Sequence, residues 1–264
     1  MSTTTPVFGV AEWAAHSWNI ASGCAHDCRY CYAKAMAVRF GRATPESWRH
    51  ETVLPSKLAK RWRKVEGRIM YPTTHDITPG LLESSVATLR SMLATGNEVL
   101  VVSKPHLECV ERLCAELRPW RERVMWRMTI GSLSRDCLGF WEPGAPESAE
   151  RIAALRHAHA SGYRTSVSSE PMLDDASVAL VRAVRPFVTD SIWIGKANNL
   201  LARLRFNGAD ESVLAHGRAL LTQQCDANIR TLYRALRCDP LVRWKESIKK
   251  VVGLDVATVA GLDV

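Results

Sequence analysis

Six runs rich in β-branched and aromatic residues recur along the chain, each followed by a stretch long enough for a helix. They are SWNIA (17–21), GRIMYPT (67–73), NEVLVVS (97–103), RVMWRMTIG (123–131), YRTSVSS (163–169) and DSIWIG (190–195). Amphipathic spacing predicts helices over 32–41, 79–95, 105–118, 147–161 and 174–185, then over 209–224 and 226–237. Pro79 stands at a first-turn position, where its missing N–H costs nothing; Gly96 and Gly162 stand where helices can end in a left-handed turn. Strands that alternate with helices pair in parallel, because a parallel neighbour is reached through a long right-handed crossover. Six units predict an α/β fold: a partial (β/α)6 barrel, open on one side, with a helical C-terminal extension. The 264 residues show no repeat, low-complexity tract or long linker, so they read as one domain. Its core spans about 17–196, with a basic insert over about 42–66 and the extension over about 205–264.

In that architecture SGCAHDCRYCYAKAM (22–36) places Cys24, Cys28 and Cys31 between the first strand and the first helix. That loop lies at the carboxyl end of the sheet, where ligands gather. The N-terminus MSTTTPVFGVAEWAAHSW lacks a basic region followed by an apolar one, so no secretory leader is expected. No run reaches the roughly 18 apolar residues of a membrane span. Eight cysteines in such a chain point to reduced thiols and a cytoplasmic setting. Three thiolates in one short loop can wrap one metal centre. Structural zinc, with His26 or His16 as fourth ligand, is one reading. Zinc usually takes paired cysteines from two segments, however, and Cys109/Cys114 and Cys225/Cys238 are too widely spaced. Three thiolates without a fourth better suit an iron–sulfur cluster with one iron left open.

The C-x3-C-x2-C loop CAHDCRYC, with an aromatic before its last cysteine, resembles the signature of radical S-adenosylmethionine (SAM) enzymes. The resemblance implies a 4Fe–4S cluster on Cys24, Cys28 and Cys31, with SAM chelating the open iron. One electron would then cleave the sulfonium to a 5′-deoxyadenosyl radical, which abstracts a hydrogen atom from the substrate. WEPGAPESAERIAALRHAHASGYRTSVSSEPML (141–173) is similar to a block of spore photoproduct lyase-like members: Glu142, Pro143, Ala145 and Pro146, then Arg151, then Ser166, Ser168 and Glu170. VVSKP (101–105) resembles their third strand, which implies that Lys104 neutralises the SAM carboxylate, with Arg151 assisting through a charge-assisted bond. Tyr30 and Tyr32 offer flat faces for the adenine. Thr129, Ser132, Ser168 and Glu170 offer polar partners near strand ends.

YPTTHDITP (71–79) stands where most radical SAM enzymes carry a glycine-rich stretch, and Thr73, Thr74, His75 and Asp76 are its candidates for the methionine amine. His75 is also a candidate acid or base. Photoproduct lyase returns a hydrogen atom from a cysteine between the cluster and the third strand; here no cysteine lies between Cys31 and Cys109. The same repair route is therefore not expected. Cys137, after the fourth strand, is a candidate thiol donor, with an incidental core cysteine as the plainer reading.

Formal charge is +8, and residues 39–68 hold nine Lys/Arg against three Glu. KLAKRWRK predicts a helix with Lys57, Lys60, Arg61 and Lys64 on one face, and 226–250 is basic too. With Trp48, Trp62 and Trp244 these segments suit a phosphate backbone and stacked bases. A nucleic acid is the expected substrate; a peptide or a small molecule is the alternative, and a solvated charged helix is the plainer reading of the charge. A non-catalytic, metal-stabilised nucleic-acid-binding module is the alternative of another class. The resemblance also implies an electron donor such as flavodoxin or ferredoxin.

Overall fold

The structure, a computed structural model, describes residues 6–261; the first five residues of the N-terminus read above and the last three of the extension lie outside it. In chain order the strands are β1 (His16–Ser17), β2 (Ala21–Ser22), β3 (Thr52–Val53), β4 (Arg68–Tyr71), β5 (Glu98–Ser103), β6 (Val124–Thr129), β7 (Arg164–Ser169), β8 (Ile192–Ile194) and β9 (Val242–Trp244). The helices are α1 (Tyr32–Arg39), α2 (Pro55–Leu58), α3 (Leu82–Ala94), α4 (Leu107–Leu117), α5 (Arg135–Trp141), α6 (Ser148–Ala160), α7 (Ser177–Val184), α8 (Leu200–Phe206), α9 (Glu211–Gln223), α10 (Asp226–Leu236) and α11 (Glu246–Val252). Seven strands form one sheet in the order β1-β4-β5-β6-β7-β8-β9, parallel at every pairing. This is the expected partial barrel with one strand more. No helix among the described residues is long and apolar enough to cross a membrane.

The period of two in each strand separates two cores. Val99, Val101, Val124, Trp126, Met128, Val167, Ile192 and Ile194 join the large cluster shared with the helices. Met70, Leu100, Val102, Met125 and Trp193 pack with Trp13 in a separate cluster on the other face. α4 shows why the helices cover the sheet: Cys109, Val110, Leu113, Cys114 and Leu117 make one apolar stripe, and all are buried. Burying a side chain such as Leu113 or Leu117 contributes about 1.5–3 kcal/mol.

Two expectations need correcting. The predicted first strand breaks after Ser17: Ala21–Ser22 turn away to pair antiparallel with Thr52–Val53. The break is held by a side chain, since the Ile20 amide donates to His75 Nε2 at 3.1 Å. The helix over KLAKRWRK stops at Leu58. Asn97 ties down the stretch beyond it, accepting from the Val65 amide (2.9 Å) and donating to the Arg63 carbonyl (3.1 Å). Lys57 and Lys60 sit over the Trp18 ring at 4.7 and 4.2 Å, and Trp62 packs edge-on against Trp18. The basic helical face does not form. Trp48 and Trp244 are buried, so they cannot stack on a bound base.

The seventh strand comes from the C-terminal extension. LVRWK is too short and too charged to announce a strand, yet Val242 and Trp244 pack into the large core. The next residue, Lys245, is fully buried; its ammonium lies 2.6 Å from Glu12 and donates to the Gly9 carbonyl. The N-terminal turn Gly9–Glu12 is thereby tied to the β9 edge, and Gly261 is tied to it in turn, its amide donating to the Ala11 carbonyl.

Candidate active site

The loop that carries the three cysteines is gripped from two sides. Gly23 has φ +84°, and a Cβ there would meet the His50 carbonyl oxygen at 2.3 Å, so only glycine fits between these backbones. On the other side a Cβ at Gly144 would reach 2.2 Å from the Ala25 carbonyl oxygen, and the Gly144 amide donates to the His26 carbonyl. The Arg29 amide donates to Trp141, and the Tyr30 hydroxyl to Glu142. Glu142 is paired with Arg151 at 2.5 Å, both side chains wholly buried. The block Glu142–Pro146 therefore braces the cysteine loop. Gly144 is the position between Pro143 and Ala145 that the sequence reading leaves without a role, and its place inside that block is the one sign of it in the sequence.

A cavity of ≈ 620 Å³ opens at the carboxyl ends of the strands. Cys24, Cys28 and Cys31 line it together with Tyr30, Tyr32, Thr73, Thr74, His75, Asp76, Lys104, Thr129, Ser168 and Glu170. Three expected residues do not reach it. The Arg151 guanidinium is spent on Glu142 and on the Pro146 and Thr129 carbonyls. Ser132 donates to Asp174. The Cys137 thiol points to the Leu173 carbonyl at 3.4 Å, and burial pushes it up to about 11.

Asp76 is the polar hub. One oxygen accepts from Ser103 Oγ (2.9 Å) and the Lys104 amide (2.7 Å); the other meets His26 Nδ1 at 2.9 Å and Lys104 Nζ at 3.6 Å. Burial alone would raise its carboxyl, but Lys104 and His26 outweigh that and hold it well below the usual carboxylate range. Burial likewise works against charge on Lys104, and Asp76 with the facing Cys28 overcomes it, so the ammonium is held charged. His75 is fully used by the backbone: Nε2 accepts from Ile20 and Nδ1 donates to the Asp76 carbonyl. It therefore shapes the loop and offers no free nitrogen for acid–base work. Asn19, which no motif marked, accepts from the Thr73 and Thr74 amides at 2.7 and 2.8 Å and fixes that loop against the cavity.

The donor set decides what the cysteines can hold. Burial raises all three thiols, and at Cys24 the neighbouring Asp76, Cys28 and Cys31 add to it. Three clustered thiolates in such a place require a cationic partner, which fits a metal centre. Cys24, His26 and Asp76 also bring one ligand atom each within 4.8 Å of one another. Both His26 nitrogens are already engaged, however, the second by His106 Nε2 at 3.0 Å. His16 lies away from the site, against the Glu66 carbonyl. The three cysteines are the better-matched set.

No family model matches the chain. An uncharacterized protein, ORF301 of Acidianus two-tailed virus, is 26% identical over 178 residues, 62% of this chain and 58% of that protein. Among solved structures, spore photoproduct lyase complexed with dinucleoside spore photoproduct matches with TM-score 0.52 at 19% identity, over 74% of this chain and 59% of that one. A cysteine-to-alanine variant of the lyase matches with TM-score 0.59 at 15% identity, over 92% of this chain and 79% of that one. The fold is that of spore photoproduct lyase. A further lyase structure, a double variant with bound AdoMet and the dinucleoside photoproduct, gives TM-score 0.54 at 18% identity over 78% and 63% of the two chains. The match thus spans less than two thirds of the viral relative and of the lyase complex.

Proposed function

We propose that this chain is a radical SAM enzyme that takes a hydrogen atom from a nucleic acid base or nucleotide. The observation that carries the reading is the meeting of the buried Cys24 and Cys28 and the half-buried Cys31 with the Asp76–Lys104 pair in one cavity at the strand ends. Cys24, Cys28 and Cys31 would hold a 4Fe–4S cluster, which supplies the electron that cleaves SAM to methionine and a 5′-deoxyadenosyl radical. Lys104, held charged and 3.6 Å from Asp76, has an ammonium to offer the SAM carboxylate. Asp76, locked by Ser103 and the Lys104 amide, keeps that ammonium at the cavity wall. Thr73 and Thr74, pinned by Asn19, present oxygens to the amine, and the half-exposed Tyr32 ring offers a face to the adenine. Cys137 stands off the cavity, which supports a reaction that does not draw a hydrogen atom from that thiol. An external one-electron donor of the flavodoxin or ferredoxin type completes the scheme.

Anaerobic reconstitution tests the reading. The expected protein is brown, with about four irons per chain and reductive SAM cleavage, both lost in Cys28→Ala. Deuterium carried from a labelled nucleic acid into 5′-deoxyadenosine would identify the substrate class. A colourless protein with one zinc per chain would overturn the proposal in favour of a metal-stabilised binding module.

A further inference from the structure

α1 leaves one side uncovered. Tyr32, Met36 and Phe40 recur every four residues, hence along one helical line, and are 39%, 43% and 59% exposed. Phe206, at the end of the neighbouring α8, is 40% exposed. Every ring in this stripe carries a guanidinium. Arg203 lies 5.9 Å from the Tyr32 centroid, and Arg39 bridges Phe40 and Phe206 at 5.6 and 5.9 Å. Arg42 covers Phe40 again at 5.8 Å. None of these arginines has a carboxylate partner among the ion pairs of the described residues. Tyr32 and Arg203 also line the cavity, so the stripe begins at its mouth.

We propose that this α1–α8 stripe is a track for single-stranded nucleic acid leading into the cavity; the inference rests on the nucleic-acid reading above. Flat apolar faces interleaved with unneutralised guanidinium groups match a strand that offers base faces and phosphates in alternation. A duplex does not match, because its bases are already stacked on each other and present only edges. The length of the stripe sets the footprint. Eight residues of helix rise about 12 Å, which three to four stacked nucleotides cover at about 3.4 Å each. A strand with one base in the cavity therefore reaches Phe40 only when it is about five nucleotides long.

Fluorescence anisotropy with a labelled oligothymidylate of eight nucleotides, a dinucleotide, and a blunt duplex of equal phosphate count tests this. The octamer should bind more tightly than either of the others. Phe40→Ala and Phe206→Ala, both exposed enough to leave the core intact, should each weaken the octamer on the order of tenfold. Neither should change binding of the dinucleotide, which is too short to reach them. Unchanged thermal midpoints would show that both variants fold. Octamer binding equal to the parent's in both variants would overturn the track and leave the nucleic-acid reading standing. Failure of every oligonucleotide to bind the parent would overturn both. Parental octamer binding with lost electron uptake from flavodoxin would reassign the stripe to a protein donor.

Discussion

Replacing Gly144 by alanine would place a methyl carbon 2.2 Å from the Ala25 carbonyl oxygen and 3.0 Å from His26 Cα. The nearest approach that real Cβ atoms keep is 3.0 Å, so the overlap is about 0.8 Å. Both contacts are backbone of the cysteine loop, and no rotamer change relieves them; the loop itself must move. Overpacking of this kind costs about 1–3 kcal/mol. Losing the hydrogen bond from the Gly144 amide to the His26 carbonyl would add about 1 kcal/mol. We therefore expect Gly144→Ala to lose about 2–4 kcal/mol, close to a 1 M fall in the urea midpoint for a slope of about 3 kcal/mol/M. Reconstituted iron should fall with it, because Ala25 and His26 lie between two of the ligands. Gly139 is the control. It sits inside α5 with nothing within 4 Å of a built Cβ, so Gly139→Ala should be neutral or stabilising by up to about 1 kcal/mol. A Gly144→Ala protein with the parent's midpoint and iron content would refute the bracing argument.

Arg151→Met should behave as a folding defect, losing about 3–5 kcal/mol in chemical denaturation, because the buried Glu142 carboxylate loses the guanidinium it is paired with. Its folded fraction should bind SAM as the parent does, whereas Lys104→Met should weaken SAM by roughly 10- to 150-fold; equilibrium titration of both variants reverses the assignment if the effects are exchanged. Burial lowers His75 despite the opposing pull of Asp76 and Glu51, so the unfolded chain takes up that proton first. The stability it contributes is present above about pH 6.5 and is lost as pH falls toward the lower folded value. Thermal midpoints at pH 7.5 and 5.5 should therefore differ less in His75→Gln than in the parent, and equal differences would count against the argument.

What the sequence by itself determined follows the short-range geometry of the backbone. Short runs rich in β-branched and aromatic residues at β5–β8, a period near 3.6 in α4, and three cysteines within eight residues are local patterns, and each survives folding unchanged. They sufficed for the parallel sheet, the place of the cysteine loop at its carboxyl edge, and the cavity walls at Lys104, Thr129 and Ser168. Only the tertiary structure decided which charged groups meet. Arg151 follows the same block whether it faces a cofactor or Glu142; in the fold its guanidinium meets Glu142 and the Pro146 and Thr129 carbonyls. KLAKRWRK has helical spacing, yet Asn97, far along the chain, takes the Arg63 carbonyl and the Val65 amide, while Trp18 and Trp62 gather its lysines. β9 carries too few residues to show a period, and Lys245 finds its interior partners only where the fold brings Glu12 of the N-terminal turn and Glu170 after β7 against it. Pairing energies of buried polar groups depend on distances between segments far apart in the chain, and a one-dimensional pattern does not contain those distances.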